Sequence, residues 1–201
     1  MNIIIVEDQA IVRDALGALL SLETDIDVIA TFSGADDALA FLKESASAVD
    51  VVLTDIQMPG KDGIELCEQV HQQWPKLPVM ILTTFGRAGF LKRALAAGAR
   101  GFLLKDTPAD RLILALRDVK AGKQVIDSEL ALTAMGEQDP LTDKERRALA
   151  LAATGLSTQA IADALCLSHG TVRNYLSEAM SKLHASNRID AARIAHERGW
   201  I

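Results

Sequence analysis

Apolar residues in the first part of the chain come in short unbroken runs. They alternate with longer stretches in which apolar positions recur every three or four residues. Short runs rich in β-branched residues and closed by turn residues read as buried strands, and the longer periodicity reads as amphipathic helix. The strand-like runs cover 2–6, 27–32, 49–54, 79–83 and 101–104, and the helical stretches cover 10–22, 34–45, 62–73, 88–97 and 108–122. Pro75 and Pro78 stop the third helix, Gly98 closes the fourth, Pro108 opens the last at a favoured early position and Gly122 ends it. Five alternations of strand and helix predict an α/β fold, a doubly wound five-stranded parallel sheet with right-handed crossovers.

The pattern changes near residue 140. Lys123 to Pro140 holds a short helical piece around Ser128 to Met135 and then Gly136-Glu137-Gln138-Asp139-Pro140, a polar Gly/Pro stretch that reads as a boundary. The chain therefore divides into residues 1–122, a linker over 123–140, and a second domain over 141–201. Thr142 and Glu145 have the spacing of a capping box, and the helix they open carries Ala148, Leu149, Leu151 and Ala152 before Gly155. Ser157 caps a helix bearing Ile161, Ala162 and Leu165. The turn Cys166-Leu167-Ser168-His169 leads into a third helix from about 170 to 183, and Asn187 caps a fourth that runs to 199. The second domain is thus a small all-α bundle whose second and third helices form a helix-turn-helix.

In a parallel sheet the carboxyl ends of the strands share one edge, where open α/β sheets place their chemistry. Glu7-Asp8, Asp55, Thr83 and Lys105 stand at four such ends, and the turn Met58-Pro59-Gly60 follows Asp55. Taken singly, each fits a solvated acid, a turn former or a strand residue. Together they form a set with a use. Three carboxylates repel and call for a cation, and hard oxygen ligands suit Mg²⁺. A carboxylate beside Mg²⁺ and a lysine can attack a phosphoryl group, while Thr83 donates a hydrogen bond to one of its oxygens.

Composition narrows the partners. Of 201 residues, 49% are apolar and 24% charged, an ordinary globular balance. No apolar run reaches ~18 residues, so no membrane-spanning helix is expected. The N-terminus reaches Glu7-Asp8 at once without a basic region and reads as a strand rather than a signal peptide. Cys67 and Cys166, without metal-type spacing, fit a reduced cytoplasmic protein. His169, His184 and His196 share no ligand spacing and read as surface or capping residues. Residues 139–201 carry eight Lys or Arg and seven Asp or Glu, a balance of +1, which leaves −7 of the total −6 on residues 1–138. Such acidity argues against strong non-specific nucleic-acid binding. The outer face of the third bundle helix shows Thr171, Arg173, Asn174, Ser177, Glu178 and Ser181, with Lys182 nearby. Arg and Asn can read guanine and adenine edges, and hydroxyls and lysine can hold phosphates. The same face also suits a protein partner.

With these residues in view, 1–122 closely resembles the receiver domain of two-component response regulators, a flavodoxin-like fold. The resemblance rests on Glu7-Asp8, Asp55 followed by Met58-Pro59-Gly60, Thr83, and Lys105 after Gly101-Phe102-Leu103-Leu104. It implies that Asp55 is the phospho-acceptor, served by a sensor histidine kinase. It also implies that Asp8 and Asp55 bind Mg²⁺ directly and Glu7 through water, with the backbone carbonyl of Gln57 completing the site. Thr83 and Phe102 become the switch pair, Thr83 moving onto the phosphoryl group and the ring turning inward behind it. Many relatives have Tyr where Phe102 stands, so any readout through a phenolic hydroxyl is missing here. The stretch Thr83-Thr84-Phe85-Gly86-Arg87-Ala88-Gly89-Phe90 is similar to regulators of the DesR type, which are linked to membrane-lipid sensing kinases.

Residues 141–201 resemble the LuxR-type helix-turn-helix of the NarL/FixJ response regulators. The resemblance runs through Leu141-Thr142 with Glu145, Gly155-Leu156-Ser157, Ile161-Ala162, Leu165, Leu167-Ser168, the run Thr171 to Ser177, and Lys182-Leu183. It implies binding to double-stranded promoter DNA, with Arg173, Asn174 and Ser177 facing the groove. Ser177 stands where a number of relatives carry Lys, and Ser157-Thr158-Gln159 where Ser-Asn-Lys is commoner. Both departures remove positive charge, so modest intrinsic affinity and reliance on a homodimer are expected. Helices 10–22 and 108–122 carry more apolar surface than one face needs, including Ile11, Leu22, Ile113 and Leu114, and are the candidate dimer or kinase-docking face. The reading is a cytoplasmic, phosphorylation-activated transcription regulator, with RNA polymerase as a further candidate partner. It is not an enzyme with an external substrate. A phosphohydrolase would need a second acid two residues after Asp55, where Gln57 cannot serve. A phosphorylation-independent adaptor would show no effect of the acid site on assembly and no retention on DNA.

Overall fold

The computed structural model describes residues 1–84, 86–136 and 139–201; the side chains of 129, 133 and 135 lie outside the description, as do Phe85 of the Thr83–Phe90 stretch and Glu137-Gln138 of the linker. The chain divides into two compact units, one of residues 1–86 and 91–131, the other of 87–90 and 132–201.

In the first unit the elements run β1 (Asn2–Val6), α1 (Ala10–Leu20), β2 (Asp27–Phe32), α2 (Ala35–Ser45), β3 (Val51–Thr54), α3 (Gly63–Gln73), β4 (Val79–Thr83), α4 (Ala88–Ala96, from Leu91 onward), β5 (Gly101–Leu104), α5 (Ala109–Lys120) and β6 (Val125–Ile126). The sheet order is β2-β1-β3-β4-β5-β6, and every pairing is parallel. It has six strands where the sequence predicts five. The extra strand is two residues long, too short to show a period, and follows Gly122 in the stretch read as linker. What makes it a strand is the open edge of β5: Val125 N–H donates to the Arg100 carbonyl at 2.9 Å and Asp127 N–H to the Phe102 carbonyl at 3.2 Å.

The strands are apolar on both faces because helices cover both. Ile3, Ile5, Val51, Leu53, Met80, Leu82 and Leu103 pack with Leu20, Leu112, Leu116 and Val119 in one core cluster. The alternate positions Ile4, Val6, Val52 and Ile81 are wholly buried as well. Ile113 joins the first cluster, which corrects the expectation that it points away from the core; of the two, only Leu114 is exposed. The helix predicted over 10–22 ends at Leu20, where the Ser21 hydroxyl turns back to the Gly17 carbonyl, and Leu22 is left exposed beyond it.

The second unit contains α6 (Ser128–Gly136) from Leu132 onward, then α7 (Asp143–Ala153), α8 (Thr158–Leu165), α9 (His169–Lys182) and α10 (Arg188–Glu197). Three of its caps are those the sequence announces, and Ser168 adds a fourth at α9. Thr142 accepts from Glu145 N–H at 3.3 Å while Glu145 accepts from Thr142 N–H at 2.8 Å, and Ser157 and Asn187 cap α8 and α10. Each such cap satisfies amide donors that the helix cannot. The core gathers Leu149 from α7, Ile161 from α8, Val172, Leu176 and Ala179 from α9, and Ala191 and Ala195 from α10. Between α8 and α9, Cys166 takes the left-handed conformation at φ 53° and turns the chain sharply.

Candidate functional site

The strand order fixes where chemistry can gather. From β1 the chain moves outward to β2 and then returns to place β3 on the other side of β1, so the β1/β3 boundary is the topological switch point. Val6 pairs with Thr54, and Asp55 N–H donates to the Val6 carbonyl at 3.0 Å, which brings Glu7 and Asp8 beside Asp55. Carboxylate oxygens of Glu7, Asp8 and Asp55 lie within 4.8 Å of one another. From the other side, Thr83 pairs with Leu104, and Lys105 N–H donates to the Thr83 carbonyl at 2.8 Å. The register thus brings the strand-end residues named from the sequence to one edge.

Their contacts are specific. Lys105 Nζ lies 2.8 Å from Asp55 Oδ2 and 2.7 Å from Glu7 Oε2. Asp55 Oδ1 accepts from Ile56 N–H at 2.6 Å, so one oxygen of the acceptor faces the backbone and the other the lysine. Glu7 and Asp55 are buried, and Thr83 is fully so. Burial pushes the Glu7 carboxyl above the usual glutamate range, and the Lys105 ammonium opposes that rise without cancelling it. Burial also works against the charged form of Lys105, but its bonds to Asp55 and Glu7 prevail and raise its pKa. The lysine is held charged between two acids. Among the described residues, Asp8 Oδ1 is a buried side-chain oxygen with no hydrogen-bond partner. An orphaned carboxylate oxygen beside two further carboxylates is the donor set a hard divalent cation takes.

Two supports of this edge escape the sequence. Arg13 of α1 donates to the Glu7 carbonyl at 2.7 Å and ties the helix to the loop that carries two of the acids. Gly63, first residue of α3, sits against the Asp55 main chain, where a Cβ would come to 1.8 Å from the Asp55 carbonyl oxygen. Helix and strand approach so closely that only glycine fits. Phe102, the other member of the expected switch pair, is fully buried in β5. Gln57 is half-buried in the loop after Asp55.

In the second unit, Arg173, Asn174 and Ser177 of α9 are exposed on one side of the helix, while Val172, Leu176 and Ala179 face the core. The Thr171 hydroxyl is engaged with the N-cap Ser168 at 2.8 Å. Lys182 differs from the rest: its Nζ lies 2.9 and 2.7 Å from the two oxygens of Glu145, which is buried. Thirty-seven residues separate the pair, and neither capping box nor helix period announces it.

Carboxylates and a lysine gathered at the edge of a parallel sheet, on a chain that continues into a helix-turn-helix bundle, are the arrangement of a DNA-binding regulator with a receiver domain. Residues 3–117 match the response regulator receiver domain family, and residues 139–195 match the family of bacterial regulatory proteins of the luxR type. The chain belongs to the two-component response regulators, as a receiver joined to a LuxR-type DNA-binding domain. It is similar to the transcriptional regulatory protein DesR of Bacillus subtilis, with 42% identity over 201 residues covering 100% of this chain and 99% of that protein. The uncharacterized transcriptional regulatory protein YvfU of the same organism is 45% identical over 202 residues, covering 100% of each. Among solved structures, RcsB from Salmonella enterica serovar Typhimurium, bound to promoter rprA in the presence of phosphomimetic BeF3−, superposes with a TM-score of 0.70 at 28% identity, covering 96% of this chain and 97% of that one. The protein is therefore a DNA-binding transcriptional regulator of a two-component system, whose receiver implies a sensor histidine kinase as partner. Among the described residues no helix is long and apolar enough to cross a membrane.

Proposed function

We propose that Asp55 is the residue that accepts the phosphoryl group, and that the observation carrying this is the Lys105 ammonium bridging Asp55 and Glu7 beside the orphaned Asp8 oxygen. An Asp55 oxygen attacks the phosphorus of the kinase's phosphohistidine. The P–N bond breaks with its electron pair left on the imidazole, which takes up a proton, and an aspartyl phosphate forms. Mg²⁺, held by Glu7, Asp8, Asp55 and the backbone carbonyl of Gln57, would supply charge against the phosphoryl oxygens. Lys105 gives up its bond to Asp55 and takes a phosphoryl oxygen instead. Thr83, at the end of β4, donates its hydroxyl to another, and its movement is felt by Phe102 in the neighbouring strand. The receiver acts on itself alone, catalysing its own phosphorylation and slow hydrolysis.

The output is a homodimer on promoter DNA in the cytoplasm, with RNA polymerase as the next partner. Ile11 on α1 is 86% exposed and Leu114 on α5 is 57% exposed, apolar side chains that burial in an interface would take out of water. They are the candidate centre of the dimer face. Arg173, Asn174 and Ser177 are the groove-facing residues of α9, and Thr171 supports its N-terminus. Molar mass by analytical ultracentrifugation, with and without Mg²⁺ plus beryllofluoride, tests the switch. Wild type moves from monomer to dimer, and Asp55→Ala stays monomeric. An unchanged wild-type mass would refute phosphorylation-driven dimerisation.

A further inference from the structure

The recognition helix is short of positive charge. Of its exposed residues Arg173 is a cation and Glu178 an anion, and Lys182 is committed to Glu145. A helix in the major groove runs between two phosphate backbones, and contacts to those phosphates supply much of the affinity. The cations for such contacts must then come from beside the helix.

They stand on α7. Lys144 and Arg147 are three residues apart and so share one helix face. With Tyr175 of α9 and Leu165 and Leu167 at the α8–α9 turn, they line a concavity of about 170 Å³ with no carboxylate in its wall among the described residues. Both cations are exposed, and among the described residues neither has an ion pair. The other cations around the start of α7 are spent, Arg146 on Asp139 and Asp143, Lys182 on Glu145. Tyr175 and Lys182 are seven residues apart on α9, two turns, and therefore lie on the same flank, next to the face that carries Arg173, Asn174 and Ser177. The concavity opens along the border of the groove-facing surface, where a helix in the groove has backbone phosphates for neighbours.

We propose that Lys144, Arg147 and Tyr175 form a phosphate clamp that holds the backbone of bound duplex DNA. The two side-chain cations pair with one phosphate, the tyrosine hydroxyl donates to it, and Leu165 and Leu167 form the apolar floor. The proposal rests on the reading of α9 as a DNA-binding helix. It assigns to α7 the charge that Ser177 and Gln159 lack.

The test uses the full chain with Mg²⁺ and beryllofluoride and a labelled 30-base-pair duplex of random sequence, its affinity measured by fluorescence anisotropy at several salt concentrations. For the double variant Lys144→Gln/Arg147→Gln we expect about five- to twentyfold weaker binding and a salt slope shallower by about 1 for each clamp engaged. Each single variant gives part of that loss, and Tyr175→Phe gives a smaller one. Arg173→Gln serves as the reference on α9, and thermal melts verify folding, the single variants carrying the result if the double variant melts early. If Arg173→Gln weakens binding while the α7 variants keep wild-type affinity and slope, the clamp is overturned and the DNA-binding reading stands. If wild type does not bind the duplex, both fail together. If the α7 variants keep DNA binding but lose affinity for a poly-glutamate peptide, the concavity receives an acidic protein segment, and the clamp is again overturned.

Discussion

The strand-end edge of the receiver and the outer face of α9 are the two candidate functional surfaces, and they are built on opposite plans. At the edge the groups are buried and answer one another: Lys105 binds Asp55 and Glu7, Ile56 N–H binds Asp55, and Arg13 holds the Glu7 carbonyl. On α9, Arg173, Asn174 and Ser177 stand in water. The edge needs preorganisation, because phosphoryl transfer is catalysed by positioned charge in a partly dry place. The helix face needs the reverse, since base edges and phosphates must replace water at little cost. A change at the edge should therefore spread through its neighbours, while a change on the helix should remain local.

Asp55 offers the largest test of that contrast. Asp55→Asn replaces the attacking carboxylate by a non-nucleophilic amide and leaves Glu7 as the charged partner of Lys105. Phosphate incorporation from a phosphorylated kinase or from acetyl phosphate should fall by at least ~10³-fold, as for other removed nucleophiles, measured with radiolabelled phosphate. Affinity of the variant for random-sequence DNA without beryllofluoride should match wild type within twofold or so. A large loss of that basal affinity would mean that the edge and the helix are already coupled before phosphorylation, and the contrast would not stand.

The edge was legible in the sequence because strand ends in a parallel sheet have to share one side. Glu7, Asp8, Asp55, Thr83 and Lys105 could be grouped from strand boundaries alone. The caps at Thr142, Ser157 and Asn187 were legible for a similar reason, as local hydrogen bonding with fixed spacing. What depends on distant backbone meeting was hidden. The strand β6 exists because β5 has an open edge, which two residues cannot advertise. The fate of Lys182 is set by Glu145 from another helix, so a residue read as a phosphate holder turns out to be paired. Ile113 lies in the core because α5 packs a wider face than its main stripe of Leu112, Leu116 and Val119 indicates.

Gly63 sharpens the contrast from the side of packing. A methyl group there meets the Asp55 carbonyl oxygen at 1.8 Å, a backbone atom that cannot swing away. Gly63→Ala should cost about 1–3 kcal/mol in receiver stability, the usual range for overpacking. It should also slow phosphorylation at Asp55, because the strand end itself must move. Urea denaturation and the acetyl phosphate reaction read the two effects. Gly170→Ala in the first turn of α9 is the matching change on the open surface. The nearest atom to its Cβ is the Ser168 hydroxyl at 3.8 Å, so no clash opposes it.

Lys182 carries a comparable loss of stability in the second unit, with no direct loss of DNA contact. Removing it leaves Glu145, a buried carboxylate that also belongs to the α7 capping box, without its cation. Lys182→Ala should therefore destabilise the second unit by about 1–3 kcal/mol. The loss of DNA affinity should be no more than that unfolding explains. A strong, stability-independent loss would return Lys182 to the DNA face.

Acid distinguishes the two units by sign. At Glu145 burial pushes the carboxyl up, but the hydrogen bond from Lys182 and those with Thr142 outweigh it and hold the carboxyl below the usual glutamate range. Its contribution to stability is therefore full above that range and fades as pH falls through its folded value. At Glu7 burial dominates over the opposing Lys105, and the carboxyl lies above the usual range. There the linkage reverses. The favourable term is present at low pH and disappears as pH rises through the raised value, so at neutral pH the charged Glu7 is a cost to the fold. Glu145→Gln should be less stable than wild type at pH 7 and converge with it in acid. Glu7→Gln, measured with EDTA present, should be more stable than wild type at pH 7, and that advantage should shrink in acid. Denaturation of wild type and the two variants between pH 3 and pH 8 reads both slopes. Two slopes of the same sign would mean that the Lys105 bridge is strong enough to make the phosphorylation edge an ordinary salt-bridged site, without the burial strain that a bound cation would relieve.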